Sequence, residues 1–254
     1  MCKALTEEQI QANKERLIAL INSIEREGFK KEVLIAKFNQ KNKPNDLCFF
    51  DAPASVKYHM DCKGGLCAHT LNVYDTLVTL VKTMRLENLF SDDTLKIVAL
   101  FHDISKNGMY EITVKAKKYY FPGGSKFDDL GAFDWVNEKG YAVKDYDERF
   151  LYGTHEETSI RMARYFIDLT LEEEIAIGHH MAGMDKILSY NERSDSSAIF
   201  TRNPLATLLH TADYLSTYIT ENSFLDGKFD TDEDVPEEVS EEPTEEVIEE
   251  ITNE

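Results

Sequence analysis

The sequence predicts a mainly all-α protein with a small inserted β-hairpin and a disordered acidic C-terminal tail. Apolar residues recur at three- and four-residue spacing over most of the chain, which is typical of amphipathic helices. One short segment is instead rich in aromatic and β-branched residues, as strands are. With 254 residues, 42% of them hydrophobic, the chain is long enough to bury one or two cores, which excludes a wholly disordered or fibrous protein.

Two helices are predicted near the start of the chain. Thr6 and Gln9 have the spacing of a capping box, and the helix that they begin ends at Gly28. A second, shorter helix is predicted over residues 30–41. The segment from Pro44 to Gly65 contains two prolines and a Gly-Gly pair, which predicts a loop.

The central part of the chain predicts two better-defined helices. Over residues 66–84 the apolar positions and His69 share one face at helical spacing. Ser91 is a suitable N-cap, and the two aspartates after it favour the positive end of a helix that continues to Lys106.

The aromatic and β-branched segment runs from Met109 to Phe121 and ends in Pro-Gly-Gly, which predicts a β-hairpin or ribbon. The stretch that follows, to Gly153, lacks a clear period. We expect it to be irregular, with one short helix near Phe133 to Glu138.

Three helices with good start signals are expected in the last third of the chain. Their predicted spans are 155–167 with a Thr154–Glu157 capping box, 171–181 with a Thr170–Glu173 capping box, and 204–221 with Asn203 as N-cap and Pro204 at the first position.

Charge and composition divide the chain into three segments. Residues 1–63 hold the N-terminal helices and loop, residues 64–225 form the main domain with an insert at 107–153, and residues 226–254 form the tail. The tail has 14 acids and one base, a net charge of −13, out of a total of −19, so the rest of the chain has a net charge of −6. Such a tail has too few apolar groups to offset the entropy of ordering it.

The composition also excludes several classes of partner. A mildly acidic body argues against a long nucleic acid, whose binding requires many Lys and Arg contacts to phosphate. No apolar run is long enough for a membrane span, and the first residues lack a signal peptide, so a cytoplasmic location is expected. The spacings of Cys2, Cys48, Cys62 and Cys67 suggest no disulfide framework, so we expect reduced thiols.

His102 and Asp103 are the first candidates for chemistry. They stand side by side at the end of an apolar helical segment, in VALFHDISK. A buried carboxylate is costly unless a cation or several donors pair with it. A metal ion would meet that need, and neighbouring histidines would complete its coordination.

At these residues the sequence resembles the HD-domain metal-dependent phosphohydrolases. The matching elements are His69 in GGLCAHTLNVY, the adjacent His102–Asp103 pair in ALFHDISK, and Asp213 in LLHTADYLSTY, in the order that the family has them. The resemblance covers residues 64–221. It implies a helical bundle in which His69, His102, Asp103 and Asp213 hold a metal ion. A minimal HD domain lacks the insert at 107–153, so the resemblance does not determine the identity of the substrate.

Two further histidines resemble those of HD subfamilies that hold a second ion. His155 lies in YGTHEETS and His180 in GHHMAGMD, and in those subfamilies the aspartate of the HD pair bridges both ions. The alternative is a single ion, with His155 as a proton donor or phosphate contact. His179 and His180 diverge by about 100° on a helix, so only one of them can face the site; the resemblance favours His180.

The resemblance implies hydrolysis by a metal-activated water. Asp103, Lys106 and His155 are the candidate catalytic residues, with Lys106 placed to neutralise a substrate phosphate unless it is only a solvated helix-end lysine. The expected cofactor is one or two divalent ions (Mn, Fe, Co, Ni, Zn or Mg), and the expected substrate is a nucleotide or related small phosphate ester. Alternatives are a phosphodiesterase acting on a cyclic nucleotide, a 3′–5′ exoribonuclease, or a non-catalytic binding protein that uses the tail. The oligomeric state stays open.

Overall fold

The computed structural model describes residues 4–41, 43, 45–150, 153–181 and 190–222. Over these residues the chain is mainly helical, as the sequence predicts. The α-helices are α1 Glu7–Asn22, α2 Lys31–Asn39, α3 Gly65–Thr83, α4 Asp92–Phe101, α5 His155–Phe166, α6 Leu171–His179, α7 Tyr190–Arg202 and α8 Pro204–Leu215. The strands are β1 Tyr110–Tyr120, β2 Lys126–Asp128 and β3 Gly131–Val143.

The helix start signals of the sequence are confirmed by hydrogen bonds at the caps. The Thr6, Thr154 and Thr170 side chains each accept from the third residue of their helix, and the glutamine or glutamate there closes a capping box. Ser91 accepts from the backbone N–H of Thr94 in the same way. Asn203 makes no side-chain cap, so Pro204 is the effective start signal of α8.

Helix α3 is the centre of the helical bundle. It packs against α1, α4 and α8, while α6 packs against α8 and α4. Its core face includes Leu66, Val73 and Leu77, all fully buried. Burial of each such side chain contributes roughly 2 kcal/mol. The helices that the sequence resemblance assigns to a metal site therefore form the rigid core.

Helix α4 ends earlier than the sequence predicts. The α-helical hydrogen bonds stop at Phe101, Asp103 has φ −110° and ψ 14°, and a single 3₁₀ turn covers Ile104–Lys106. The backbone therefore leaves α-helical geometry at Asp103, within the buried His102–Asp103 pair. The pair therefore lies at a helix end, where its side chains can turn toward other helices.

The insert is a three-stranded antiparallel sheet in the order β1–β3–β2, so the predicted hairpin extends into a larger sheet. The prediction of a short helix near Phe133 to Glu138 is wrong, because these residues belong to β3. Phe133 pairs with Tyr120 and Trp135 with Lys118, at the two-residue period of a strand.

A small aromatic cluster holds the sheet together. The ring of Phe133 is buried and lies 5.5 Å from Tyr120 and 6.0 Å from Trp135. The Lys118 ammonium lies 4.3 Å from the centre of the Phe133 ring and pairs with Asp128 at 2.5 Å. Three strands with a shared hydrophobic cluster are the minimum that a small sheet needs for stability of its own.

The base of the sheet is tied to the loop that precedes α3. The Ile112 N–H donates to the Asn45 carbonyl, and the Tyr110 hydroxyl donates to the Ala54 carbonyl. Lys144 and Asp46 form a buried ion pair at 2.7 Å. These contacts fix the loop before α3 as well as the sheet.

The final helix changes its geometry near its end. After α8, residues Ser216–Thr220 form a π turn rather than continuing the predicted α-helix to Glu221. Helix α7, rich in polar residues, was not expected from the sequence. The predicted tail, residues 226–254, lies outside the described residues, and the three-segment division of the chain stays a prediction.

Two absences concern only the described residues. Cys48, Cys62 and Cys67 are not joined by disulfides there. No helix in the described part of the chain combines the length and apolar character needed to cross a membrane.

Candidate metal centre

The Gly-Gly pair before α3 allows a loop to pack closely on the start of that helix. Gly64 has φ +79°, and a Cβ on Gly65 would lie 2.1 Å from the Met60 carbonyl oxygen. Only glycine fits such an approach. The loop holds the ring of His59 with its centre 4.7 Å from the ring of His69, one turn into α3.

Three helices bring His69, His102 and Asp213 together as a first triad. The His69 Nε2 lies 3.3 Å from the His102 Nε2 and 3.2 Å from the Asp213 Oδ1. All three side chains are buried. Donor atoms of these three residues are close enough to bind one ion.

Asp103, His155 and His180 form a second triad beside the first. The His155 Nε2 lies 2.6 Å from the Asp103 Oδ1, and the His180 Nε2 lies 3.7 Å from the same oxygen. His155 belongs to the first turn of α5, and His180 directly follows α6. This group also has the spacing of a metal site.

Asp103, a member of the second triad, also faces the first. Its Oδ1 faces His155 and His180, while its Oδ2 lies 3.5 Å from the His69 Nε2 and 3.6 Å from the His102 Nε2. Each carboxylate oxygen therefore faces a different group of imidazoles, an arrangement suited to a bridging ligand.

All four histidines of the two triads have Nδ1 occupied by a partner outside the centre. The Nδ1 contacts are His102 with the Ala99 carbonyl at 2.8 Å, His180 with the Ile177 carbonyl at 2.7 Å, His69 with the Glu221 carboxylate at 2.9 Å and His155 with the Ser105 hydroxyl at 2.5 Å. For His69, His102 and His180 the partner is a carbonyl or carboxylate that accepts the Nδ1 proton, and in the neutral ring this leaves the Nε2 lone pair free to bind a metal ion. The Ser105 hydroxyl can either donate to or accept from His155.

The distances between the donor atoms suit a shared cation better than direct hydrogen bonds between the side chains. The Nε2 atoms of His69 and His102 lie 3.3 Å apart, and in neutral rings protonated at Nδ1 both would carry lone pairs. Bonds of about 2.0–2.1 Å to a tetrahedral ion would place neighbouring ligand atoms about 3.3 Å apart. The His180 Nε2 is buried with no hydrogen-bond partner among the described residues, and an ion would satisfy it.

The charges of the centre are those of a cation site. Burial alone would raise the pKa of Asp103, but Lys106, His102 and the hydrogen bond from His155 hold it well below its usual range. Burial opposes ionisation of Asp213 too, and its bond to His69 outweighs that effect and lowers its pKa. Both carboxylates are therefore ionised at neutral pH.

The histidines respond differently to this environment. Burial lowers the pKa of His102 to about 4, so its ring is neutral. Burial opposes a charge on His69 as well, but Glu221 and Asp213 outweigh it and raise the pKa to about 10. Without an ion, a proton on His69 supplies the positive charge that the carboxylates require.

Lys106 and His155 lie on the solvent side of the centre. The Lys106 Nζ is 2.6 Å from the Asp103 Oδ2, and its side chain is 16% exposed, while that of His155 is 24% exposed. The other predicted ligands are almost fully buried. Lys106 and His155 are therefore the predicted site residues that solvent reaches most.

The structure brings all six predicted metal ligands and Lys106 together, and it separates His179 from them. The His179 Nδ1 bonds to the Ile175 carbonyl of its own helix. The His210 Nδ1 bonds to the His180 carbonyl at 2.6 Å, which holds the backbone that presents His180.

Neither Glu221 nor His59 was identified from the sequence as part of the site. With His69 they form a third group of possible ligands, although the His69 Nδ1 is already hydrogen-bonded to Glu221. Glu221 belongs to no motif, and only the three-dimensional course of the final helix relates it to His69.

Comparison with protein-family models found no matching family, and searches of curated proteins and of solved structures found no significant similarity. The centre therefore has to be interpreted from its own geometry: buried groups of histidine and carboxylate side chains that could hold metal ions.

Proposed function

We propose that the protein is a metal-dependent phosphohydrolase of the HD-domain type, acting on a nucleotide or a related small phosphate ester. One observation supports this most strongly. Four imidazoles have Nδ1 occupied elsewhere and direct Nε2 to the two oxygens of Asp103. Oriented imidazoles around a shared carboxylate suit Mn, Fe, Co, Ni or Zn ions.

Two groups of residues would hold the ions. His69, His102 and Asp213 would hold one, His155 and His180 the other, and Asp103 would contact both. When bound, such ions lower the pKa of water toward neutrality and stabilise charge that develops on phosphoryl oxygens. The helical core around the triads keeps these side chains in place before substrate arrives.

Lys106 and His155 are the residues that would contact an anionic substrate at the exposed side of the centre. With an ion bound at Asp103, the Lys106 ammonium that now pairs with this carboxylate would be available for a phosphate oxygen. The first turn of α5, where His155 lies, adds the positive end of a helix. Together they favour a small anion at the exposed side.

The test is a panel of nucleotides with added Mn²⁺, run with wild type and Asp103→Asn. The panel contains ribo- and deoxynucleoside mono- and triphosphates, cyclic nucleotides and a short RNA. We expect loss of one small phosphate ester with wild type and none with the variant, whose helical content is unchanged by circular dichroism. Turnover that survives in Asp103→Asn would refute the mechanism.

One observation favours a phosphodiesterase, the second candidate. The insert exposes Trp135 with the Lys118 ammonium 5.7 Å from its ring centre, and aromatic and cationic side chains together bind single-stranded nucleic acid. In the same panel, degradation of the RNA alone, with binding that weakens steeply as salt rises, would select the exoribonuclease. A cyclic nucleotide as the only substrate would select a cyclic phosphodiesterase.

A further inference from the structure

Glu221 is a buried carboxylate that contacts the back of the metal centre. Its side chain is 1% exposed. Its Oε1 accepts from the His69 Nδ1 at 2.9 Å and from the Asn72 amide at 3.0 Å. His69 and Asn72 are three residues apart on α3, so both donors project from one face of that helix.

The π turn is what brings Glu221 to His69. Asp213 and Glu221 are eight residues apart, which on a regular α-helix would separate their directions by about 80°. A π turn absorbs one extra residue, so seven effective steps remain and the two directions agree within about 20°. The Glu221 N–H bonds to the Ser216 carbonyl at 2.9 Å, five residues earlier.

The turn is itself fixed against α3. Ser216 is fully buried, and its hydroxyl lies 3.1 Å from the Thr76 hydroxyl. Because π turns are less favourable than α turns and occur often at functional sites, a packed one next to the centre indicates a role. The turn serves to place Glu221 in contact with His69.

We propose that Glu221 is a positioning residue: its carboxylate holds the His69 ring so that Nδ1 carries the proton and Nε2 faces His102 and Asp213. The role rests on the proposed metal-dependent function, in which Nε2 binds an ion. Carboxylates that accept from a ligating histidine orient its ring and increase its basicity.

The experiment compares the full-length wild type with Glu221→Ala and Glu221→Gln, with the exposed Glu172→Ala as the control of equal charge change. Mn²⁺ binding is measured from the electron paramagnetic resonance of free Mn²⁺. We expect a 10–100-fold weaker affinity for one ion in Glu221→Ala, a smaller loss in Glu221→Gln, which keeps an acceptor oxygen, and no change in Glu172→Ala.

A second readout needs no metal. Long-range ¹H–¹⁵N spectra of the metal-free proteins report the protonation and hydrogen bonding of each ring nitrogen of His69, with His69→Gln for assignment. We expect the His69 signals to change in Glu221→Ala and to stay close to wild type in Glu172→Ala.

The outcomes separate the inference from the proposed function. Wild type that binds no Mn²⁺ would refute the function, and a changed His69 spectrum would still support the positioning role. Unchanged spectra and affinity in Glu221→Ala would overturn the role. A third Mn²⁺ in wild type that is lost in Glu221→Ala would make Glu221 a ligand and would also overturn it.

Discussion

At the residue scale, the ion pair of Lys106 and Asp103 predicts a stability effect that depends on metal. Lys106→Met removes the cation 2.6 Å from a buried carboxylate, which should cost about 3 kcal/mol in the metal-free protein. An added ion would neutralise Asp103 instead, so the loss should shrink with saturating Mn²⁺. Urea denaturation with and without Mn²⁺ measures both values.

The control for this prediction is Lys82→Met, at the exposed end of α3. It should change stability by less than about 0.5 kcal/mol under either condition. Equal losses for Lys106→Met with and without Mn²⁺ would show that the ion does not bind next to Asp103.

His69 predicts that metal binding depends on pH. Its pKa of about 10 in the metal-free protein means that the ring is protonated at neutral pH. A ligating histidine must be neutral, so ion binding releases at least one proton. The Mn²⁺ affinity should therefore rise about tenfold per pH unit between roughly pH 6.5 and 8.5.

Calorimetry in two buffers of different ionisation enthalpy measures the released protons directly. His69→Gln serves as the reference, because it cannot release this proton. An affinity that is flat across this pH range would contradict the charge assigned to His69.

The sequence anticipated much of the centre at this scale, for a physical reason. The resemblance to the HD-domain motifs selected His69, His102, Asp103 and Asp213, and helical periodicity accounts for the direction of His69 and Asp213, whereas Asp103 lies just beyond the end of α4. Glu221 could not be found in this way, because a π turn changes the phase of the helix before it. No propensity or spacing rule marks where such a turn occurs.

At the element scale, the close approach of the loop before α3 predicts the effect of Gly65→Ala. The added Cβ would lie 2.1 Å from the Met60 carbonyl oxygen, a backbone atom that can move only if the whole loop shifts. We expect a loss of about 3 kcal/mol and weaker Mn²⁺ binding, because α3 and the loop must separate. Thermal melts and Mn²⁺ titrations test this.

Gly140→Ala is the matched control. A Cβ there would meet only the flexible Lys115 side chain. Its melting temperature and Mn²⁺ affinity should stay close to those of wild type. A Gly65→Ala protein as stable as Gly140→Ala would refute the packing argument.

The inserted sheet should unfold separately from the helical bundle. Trp135 is the single tryptophan of the chain and contacts the buried Phe133 ring. Phe133→Ala removes the cluster that holds the sheet. In urea, the Trp135 fluorescence transition should move to lower concentration, while the helical circular dichroism transition keeps its midpoint.

Phe127→Ala is the control for this prediction, since Phe127 is 81% exposed. It should leave both transitions in place. Fluorescence and dichroism transitions that move together in Phe133→Ala would show that sheet and bundle form one cooperative unit.

The same sheet shows where sequence reasoning about elements fails. Capping boxes are local, so the helices after Thr6, Thr154 and Thr170 could be predicted. Strand β3 obtains its structure from partners on β1, more than ten residues away. Its own sequence does not specify that pairing, and a short helix near 133–138 was therefore an understandable error.

At the scale of the whole molecule, the charge distribution predicts how fast an anionic substrate associates with the protein. Residues 226–254 contribute −13 of the net charge of −19, whereas every predicted ligand and Lys106 lie in the remaining part, with a net charge of −6. A negative field slows the approach of a phosphate ester, and salt screens it over about 10 Å at 0.1 M. The catalytic step itself depends only on the centre.

Truncation after Leu225 should therefore raise kcat/KM about two- to fivefold at low ionic strength, leave kcat unchanged, and lose its effect above roughly 0.3 M salt. Steady-state kinetics of both chains over a salt series, on whichever nucleotide the panel identifies, measures this. A fall in kcat on truncation would mean that the tail contributes to the catalytic step. Loss of a binding partner with turnover intact would give the tail a second, separate role.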